Sequence, residues 1–196
     1  MLRILVLYGT THGQTEKVVT AIDNALIDRG CDVDVIAAGT LEPDPSDYDG
    51  IIVAASVHGG RFQDAVARWV STHAAELNAK PTAFVAVCLG VLRQDEKARA
   101  DLDSVIHGFT DPPGWQPTFI KPVAGALLYT HYDLVTRWFM RRIAAKTGGG
   151  TDTSRDYVYT DWEDVRAFAS SFADAIVKRS AVTPDGPQPI AINAAS

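Results

Sequence analysis

Three short apolar runs, residues 2–8, 51–55 and 82–88, constrain this chain more than any other feature. A strand with one wet face alternates polar and apolar side chains, whereas near-continuous apolar runs of this length suit strands covered on both faces. Helical periodicity fills the intervals between them. Val18, Val19, Ile22 and Leu26 recur at helix spacing over residues 14–29, and Gly30 stops that helix. Phe62, Val66, Trp69, Val70 and Leu77 mark a second helix ending before Pro81, and Leu102, Val105, Ile106 and Phe109 a third, before the turn Asp111-Pro112-Pro113-Gly114. Val165, Phe168, Ala169, Phe172 and Ile176 mark the last.

Two further strands complete the pattern. Residues 31–37 place Val33 and Val35 on one face and Asp32 and Asp34 on the other, which suits an edge, and an acidic loop over 41–47 follows. Residues 118–128 read as a fifth strand, with Pro122 indicating an edge or an irregularity. Strands alternating with helices predict an α/β, three-layer sandwich around a five-stranded parallel sheet of order 2-1-3-4-5, with a helical insertion after or within strand 5. One domain is expected over residues 1–179, the insertion occupying 129–156. The tail 180–196, with Pro184, Pro187 and Pro189, is expected to be disordered.

Composition narrows the function classes. A formal net charge of −6 argues against a nucleic-acid binder, which needs a basic face. Two distant cysteines, Cys31 and Cys88, make neither a disulfide framework nor a zinc site, so no metal is expected and both read as core residues within strands. The N-terminal apolar stretch lacks the length and cleavage site of a signal peptide, and no run reaches the roughly 20 residues of a membrane span. A cytoplasmic location is expected, with any membrane contact peripheral and on the inner face.

The strongest chemical signal follows the first strand: Thr10-Thr11-His12-Gly13-Gln14-Thr15, leading directly into a helix. A helix start presents unpaired N–H groups and partial positive charge, Gly13 permits close backbone approach, and the threonine hydroxyls can donate. The segment reads either as a phosphate loop or as an ordinary threonine cap. A dinucleotide fingerprint and a lysine-containing nucleotide loop are both missing from it. The hydroxyl-x-x-Gly-x-Thr form resembles the flavodoxins, a likeness that covers about the first 130 residues. It implies FMN, with its phosphate on this loop and its ring between two later loops.

Those loops are Ser56-Val57-His58-Gly59-Gly60-Arg61 after the third strand and Leu89-Gly90-Val91-Leu92-Arg93 after the fourth. Their glycines let backbone lie against a ring edge, where N–H groups tune a flavin. His58 suits ring stacking and turn capping equally. Arg61 suits a flavin anion, a substrate carboxylate or a solvated helix start. Phe62, already at the helix start, is the one aromatic residue in these loops, which leaves a flavin face open to another reactant.

Between His131 and Lys146 lie Arg137, Arg141, Arg142 and Lys146 against Asp133, with Val135, Phe139 and Ile143 at helical spacing. Such a basic, aromatic-rich helix suits an anionic membrane surface or partner, or burial against the domain with its arginines solvated. A Gly/Thr loop over 147–153 follows, and Thr160 or Asp161 can cap the last helix. The run 123–129, the basic insertion, Gly148-Gly149-Gly150-Thr151-Asp152-Thr153 and Tyr159-Thr160-Asp161-Trp162 together resemble the bacterial menaquinone-dependent protoporphyrinogen oxidases. This likeness extends over roughly residues 2–177. The insertion is less basic than that family's usual one, and Leu128 stands where the family often has arginine. The resemblance implies oxidation of protoporphyrinogen IX with menaquinone as acceptor, in haem biosynthesis. Arg61, Arg93, Arg137 and Arg141 are then candidates for substrate or membrane contact, and no side chain is assigned as a catalytic base. A flavodoxin-type electron carrier and an FMN quinone reductase are the rival readings.

Overall fold

A computed structural model describes the chain except for residues 58–59, 94, 132–136, 139–140, 143, 146–149 and 183–196. Strands β1 (Arg3–Gly9), β2 (Asp32–Ala37), β3 (Gly50–Ser56), β4 (Thr82–Cys88) and β5 (Phe119–Ala124) form one sheet of order β2-β1-β3-β4-β5. Every pairing is parallel. Helices α1 (Gln14–Asp28), α2 (Asp64–Asn78), α3 (Glu96–Thr110) and α4 (Trp162–Val182) cover its faces. This is the expected doubly wound arrangement.

Successive side chains of a strand point to opposite faces, and the unbroken apolar runs therefore feed two cores. Ile4, Val6, Ile52, Ala54 and Val85 pack with Val18, Ile22 and Leu26 of α1 and with Val165, Phe172 and Ile176 of α4. Leu5, Leu7, Ile51, Val53 and Phe84 pack on the other face with Val66, Trp69 and Val70 of α2, Ile106 of α3, and Trp115. Trp115, 1% exposed, donates from Nε1 to Thr82 Oγ1 at 3.1 Å, which closes that layer.

Three expectations are corrected. The fifth strand does not run through 128: the chain leaves the sheet at Gly125, and β6 (Ala126–Leu127) pairs antiparallel with β7 (Tyr157–Val158). Tyr159 N–H donates to the Gly125 carbonyl at 3.1 Å, so the returning chain takes up the hydrogen bonding that a longer β5 would have needed. Strand β2 does stand at the sheet edge that its alternation indicates, with Val35 40% exposed. Cys31 stands just ahead of β2 rather than within it, although it is still buried, while Cys88 is the last residue of β4. Helix α4 continues through Val182, past the expected boundary at 179.

The insertion closes on its own small core of Leu127, Leu128, Tyr129 and Ala144, with Tyr157 and Tyr159 packed against it. Asp156 accepts from Thr130 N–H at 2.9 Å and from its hydroxyl at 2.8 Å, joining the two ends of the excursion. Gly150 is held from both sides: its carbonyl accepts from Tyr129 Oη at 2.8 Å, and its N–H donates to Tyr159 Oη at 2.5 Å. Arg137, Trp138, Arg141, Arg142, Ala144 and Ala145 are helical. The apolar stripe expected from Val135, Phe139 and Ile143, the neighbouring Lys146, the loop at 147–149 and most of the tail lie outside the described residues.

Candidate functional site

Parallel strands end their carboxyl termini on one edge of a sheet, and the order reversal between β1 and β3 leaves a crevice there. The loops after β1, β3, β4 and β5 meet at that edge. They form a cleft lined by Thr10, Thr11, His12, Gln14 and Thr15 from the first loop. Ser56, Val57 and Leu89 line it from the next two. Eight of the expected cofactor residues are thereby brought together.

Gly13 begins α1 with φ 81°, in the left-handed region that a side chain disfavours, and no side chain caps the helix. A threonine does not cap α1: Thr10 Oγ1 instead accepts from Gly13 N–H at 2.9 Å. That bond uses a lone pair of Thr10 and leaves its proton available to an anionic oxygen. Gln14 and Thr15 are buried, and Gln14 Oε1 and Thr15 Oγ1 have no hydrogen-bond partner. Unsatisfied polar atoms in native interiors are uncommon and each costs about 1–3 kcal/mol. Two together, beside the open N–H groups of a helix start, mark where a polar ligand belongs.

Gln63, which the sequence reading passed over, ties two loops together. Its Nε2 donates to Thr11 Oγ1 at 3.0 Å and to Ser56 Oγ at 2.7 Å, while its Oε1 accepts from Ser56 N–H at 3.2 Å. Its place just ahead of α2 was the available signal. The cleft also takes in Val87, Cys88, Gly125, Ala126 and Leu128, which were missed because they read as strand interior. Burial pushes the Cys88 thiol above its ordinary value against the opposing N–H groups of Val91 and Gly90. It therefore presents a neutral, apolar wall.

Other expected residues stand elsewhere. Leu89 to Leu92 form a 3-10 turn rather than an open loop, and of these residues only Leu89 reaches the cleft. Gly90 and Arg93 border a neighbouring apolar recess, with Ala98, Leu102 and Val105 of α3. Arg93 is engaged by Asp95 through Nε at 3.0 Å and Nη2 at 3.1 Å. Asp95 also caps α3 by accepting from Ala98 N–H, which holds its carboxyl below the usual range with help from Arg93. Gly60 and Arg61 lie on a separate groove between α2 and α3. Arg137 Nε donates to the Tyr129 carbonyl at 3.0 Å, Arg141 is exposed, and Arg142 lies over the Trp138 ring at 5.1 Å. His58 and Gly59 lie outside the described residues.

The profile of the Flavodoxin domain family matches residues 5–154. The chain belongs to the flavodoxin family. Solved members share its fold at low identity: oxidised flavodoxin 1 of Bacillus cereus aligns with TM-score 0.53 at 15% identity, covering 88% of this chain and 97% of that one. A single-site mutant of the Pseudomonas aeruginosa flavodoxin aligns with TM-score 0.54 at 12% identity, covering 90% and 99%. Similarity in sequence is greater to another group of proteins. Protoporphyrinogen IX dehydrogenase [quinone] of Escherichia coli K12 is 34% identical over 173 residues, 88% of this chain and 95% of its own length. The protein of the same name from Leishmania major is 36% identical, covering 87% and 74%.

The orphaned atoms fit the group that a flavodoxin fold carries. A phosphate needs neutral donors at a helix start, which Thr10, Thr15 and the first-turn amides of α1 supply. Beyond them the cleft turns apolar at Val57, Val87, Cys88, Leu89 and Leu128, as a planar ring requires. Among the described residues no helix is long and apolar enough to cross a membrane.

Proposed function

We propose that this chain is an FMN-dependent oxidoreductase that converts protoporphyrinogen IX to protoporphyrin IX and delivers the electrons to menaquinone, a step of haem biosynthesis. The observation that carries the reading is its 34% identity to the Escherichia coli dehydrogenase across 95% of that enzyme's length. The cleft supplies the physical support. FMN, when bound, carries the two-electron chemistry, and the protein contributes placement and electrostatics.

Thr10, Thr11, Gly13 and Thr15 hold the phosphate, Thr11 being fixed by Gln63. Ser56, Val57 and Leu89 would border the ring. His12, exposed at the loop tip, stands at the entrance. A half-buried thiol at Cys88, held neutral by desolvation, would offer one side of the ring an uncharged wall. Aromatisation of the porphyrinogen releases six electrons and six protons, taken up as three quinols from three quinones. Arg61 and Arg141, both exposed, are the cations offered to its two propionates, since Arg93 is held by Asp95 and Arg137 by the Tyr129 carbonyl. The insertion, with Trp138 59% exposed beside Arg141 and Arg142, rests peripherally on anionic lipid at the inner face of the membrane, where the quinone resides.

The test is anaerobic mixing of the flavin-loaded protein with protoporphyrinogen IX and a menaquinone analogue. Protoporphyrin fluorescence should rise well above the rate with free FMN at the same concentration. A rate equal to free FMN refutes the enzyme reading and leaves an electron carrier.

A further inference from the structure

We infer that Thr160 dictates which atom Gln14 presents to the cleft, so that the site selects a phosphate monoester carried on a hydroxylated chain. The inference rests on the FMN reading above and goes beyond it, to the part of the cofactor that each orphaned atom recognises.

Among the described residues, two buried side-chain nitrogen or oxygen atoms lack a partner, Gln14 Oε1 and Thr15 Oγ1, and both residues line the same cleft. They are opposite in kind. A threonine hydroxyl can donate, whereas an amide oxygen only accepts. The orientation of the Gln14 amide follows from its neighbours. The Ala124 carbonyl accepts only, and Thr160 Oγ1 lies 2.7 Å from it, so the single hydroxyl proton of Thr160 is committed there. What Thr160 has left for Gln14 is a lone pair, and Gln14 Nε2 meets it at 2.8 Å. Turning the amide over would set two oxygens against each other with no proton between them. Gln14 Oε1 is therefore the atom left for a ligand.

A phosphate dianion brings acceptors, which suit Thr15 and repel Gln14. A chain hydroxyl brings a donor, which suits Gln14. The adjacent pair thus matches the two chemistries of a ribityl phosphate, and Thr160, which touches neither, acts as a positioning residue. Its own place is set by the chain returning from the insertion: Tyr159 N–H is bonded to Gly125, and Asp161 accepts from the N–H groups of Glu163 and Asp164 at the start of α4. The cofactor site is in this way built in part from the far side of the insertion.

The experiment measures dissociation constants, by quenching of flavin fluorescence, for three flavins. These are FMN, riboflavin, and a flavin bearing a 5′-phosphate on an unsubstituted pentyl chain. The intact protein should bind FMN about tenfold or more tighter than the pentyl analogue. Thr160→Val should bring that ratio to within about twofold of unity while preserving the preference for FMN over riboflavin. Gln14→Met should reproduce this loss, and Thr160→Ser should restore the ratio. Thr15→Val should do the converse, eroding the FMN-to-riboflavin ratio and sparing the chain ratio. Thr160→Val that keeps its chain ratio, or that loses both ratios together, overturns the inference. So does an intact protein that binds FMN and the pentyl analogue alike, an outcome that leaves the FMN reading standing. An intact protein that ignores FMN removes the FMN reading and the inference with it.

Discussion

Replacing Gly150 by alanine should free the insertion without emptying the cleft. A Cβ at this position would stand 2.2 Å from Cε1 and Cζ of Tyr157, so the tyrosine ring or the backbone has to move. Overpacking of this kind costs about 1–3 kcal/mol. Movement of the backbone also strains the two hydrogen bonds that Gly150 makes to Tyr129 and Tyr159, each worth about 1 kcal/mol. A local loss of about 2 kcal/mol raises the population of the opened insertion roughly 30-fold. Arg141 and Arg142 are exposed cleavage points for trypsin within that segment. Native-state proteolysis should therefore cut Gly150→Ala there roughly 30-fold faster, with FMN affinity within about threefold of the unsubstituted protein. Cleavage within about twofold of the unsubstituted rate would refute the claim that the tyrosine clamp holds the insertion closed.

Two further outcomes follow from the scaffold. Trp115→Phe removes the donor to the buried Thr82 hydroxyl and part of a fully buried ring, so it should cost about 2–3 kcal/mol and lower the melting midpoint by roughly 4–12 °C; an unchanged midpoint in calorimetry would contradict the packing described. Tyr48, pushed up to about 12 chiefly by burial and then by its bond to Asp34, retains its proton in the folded state at pH values where the unfolded chain has lost it. The folded state then binds more protons than the unfolded one between about pH 10 and 12, and stability falls as pH rises through that window. Urea denaturation at pH 9 and 11 should show a shallower fall for Tyr48→Phe, and an identical slope would remove Tyr48 from the account.

How much of this could be read from residue order differs from element to element. Residues 2–8, 51–55 and 82–88 announced central strands because neighbours cover both of their faces, so every position beyond Arg3 and Thr82 at their starts is apolar. The loop from Thr10 to Thr15 was equally plain, since a helix start following a buried strand has to stand at the carboxyl edge of the sheet. Strand β5 was misread beyond Ala124 because an apolar run is the same string whether it continues in a sheet or turns away to pair with a distant segment. Arg93 looked available until Asp95, two residues on, proved to hold it.

The sequence alone determined the layers: the period of its apolar residues sets which segments are strands, which are helices, and which faces must be covered. Only the tertiary structure decided that Thr160 lies against Gln14 across 146 residues of chain, and that Gly150 fits between two tyrosines. Periodicity is a local property, encoded along the chain by burial. A hydrogen-bond partner brought in from a remote return strand leaves no local signature, because its identity depends on where two backbones meet in space.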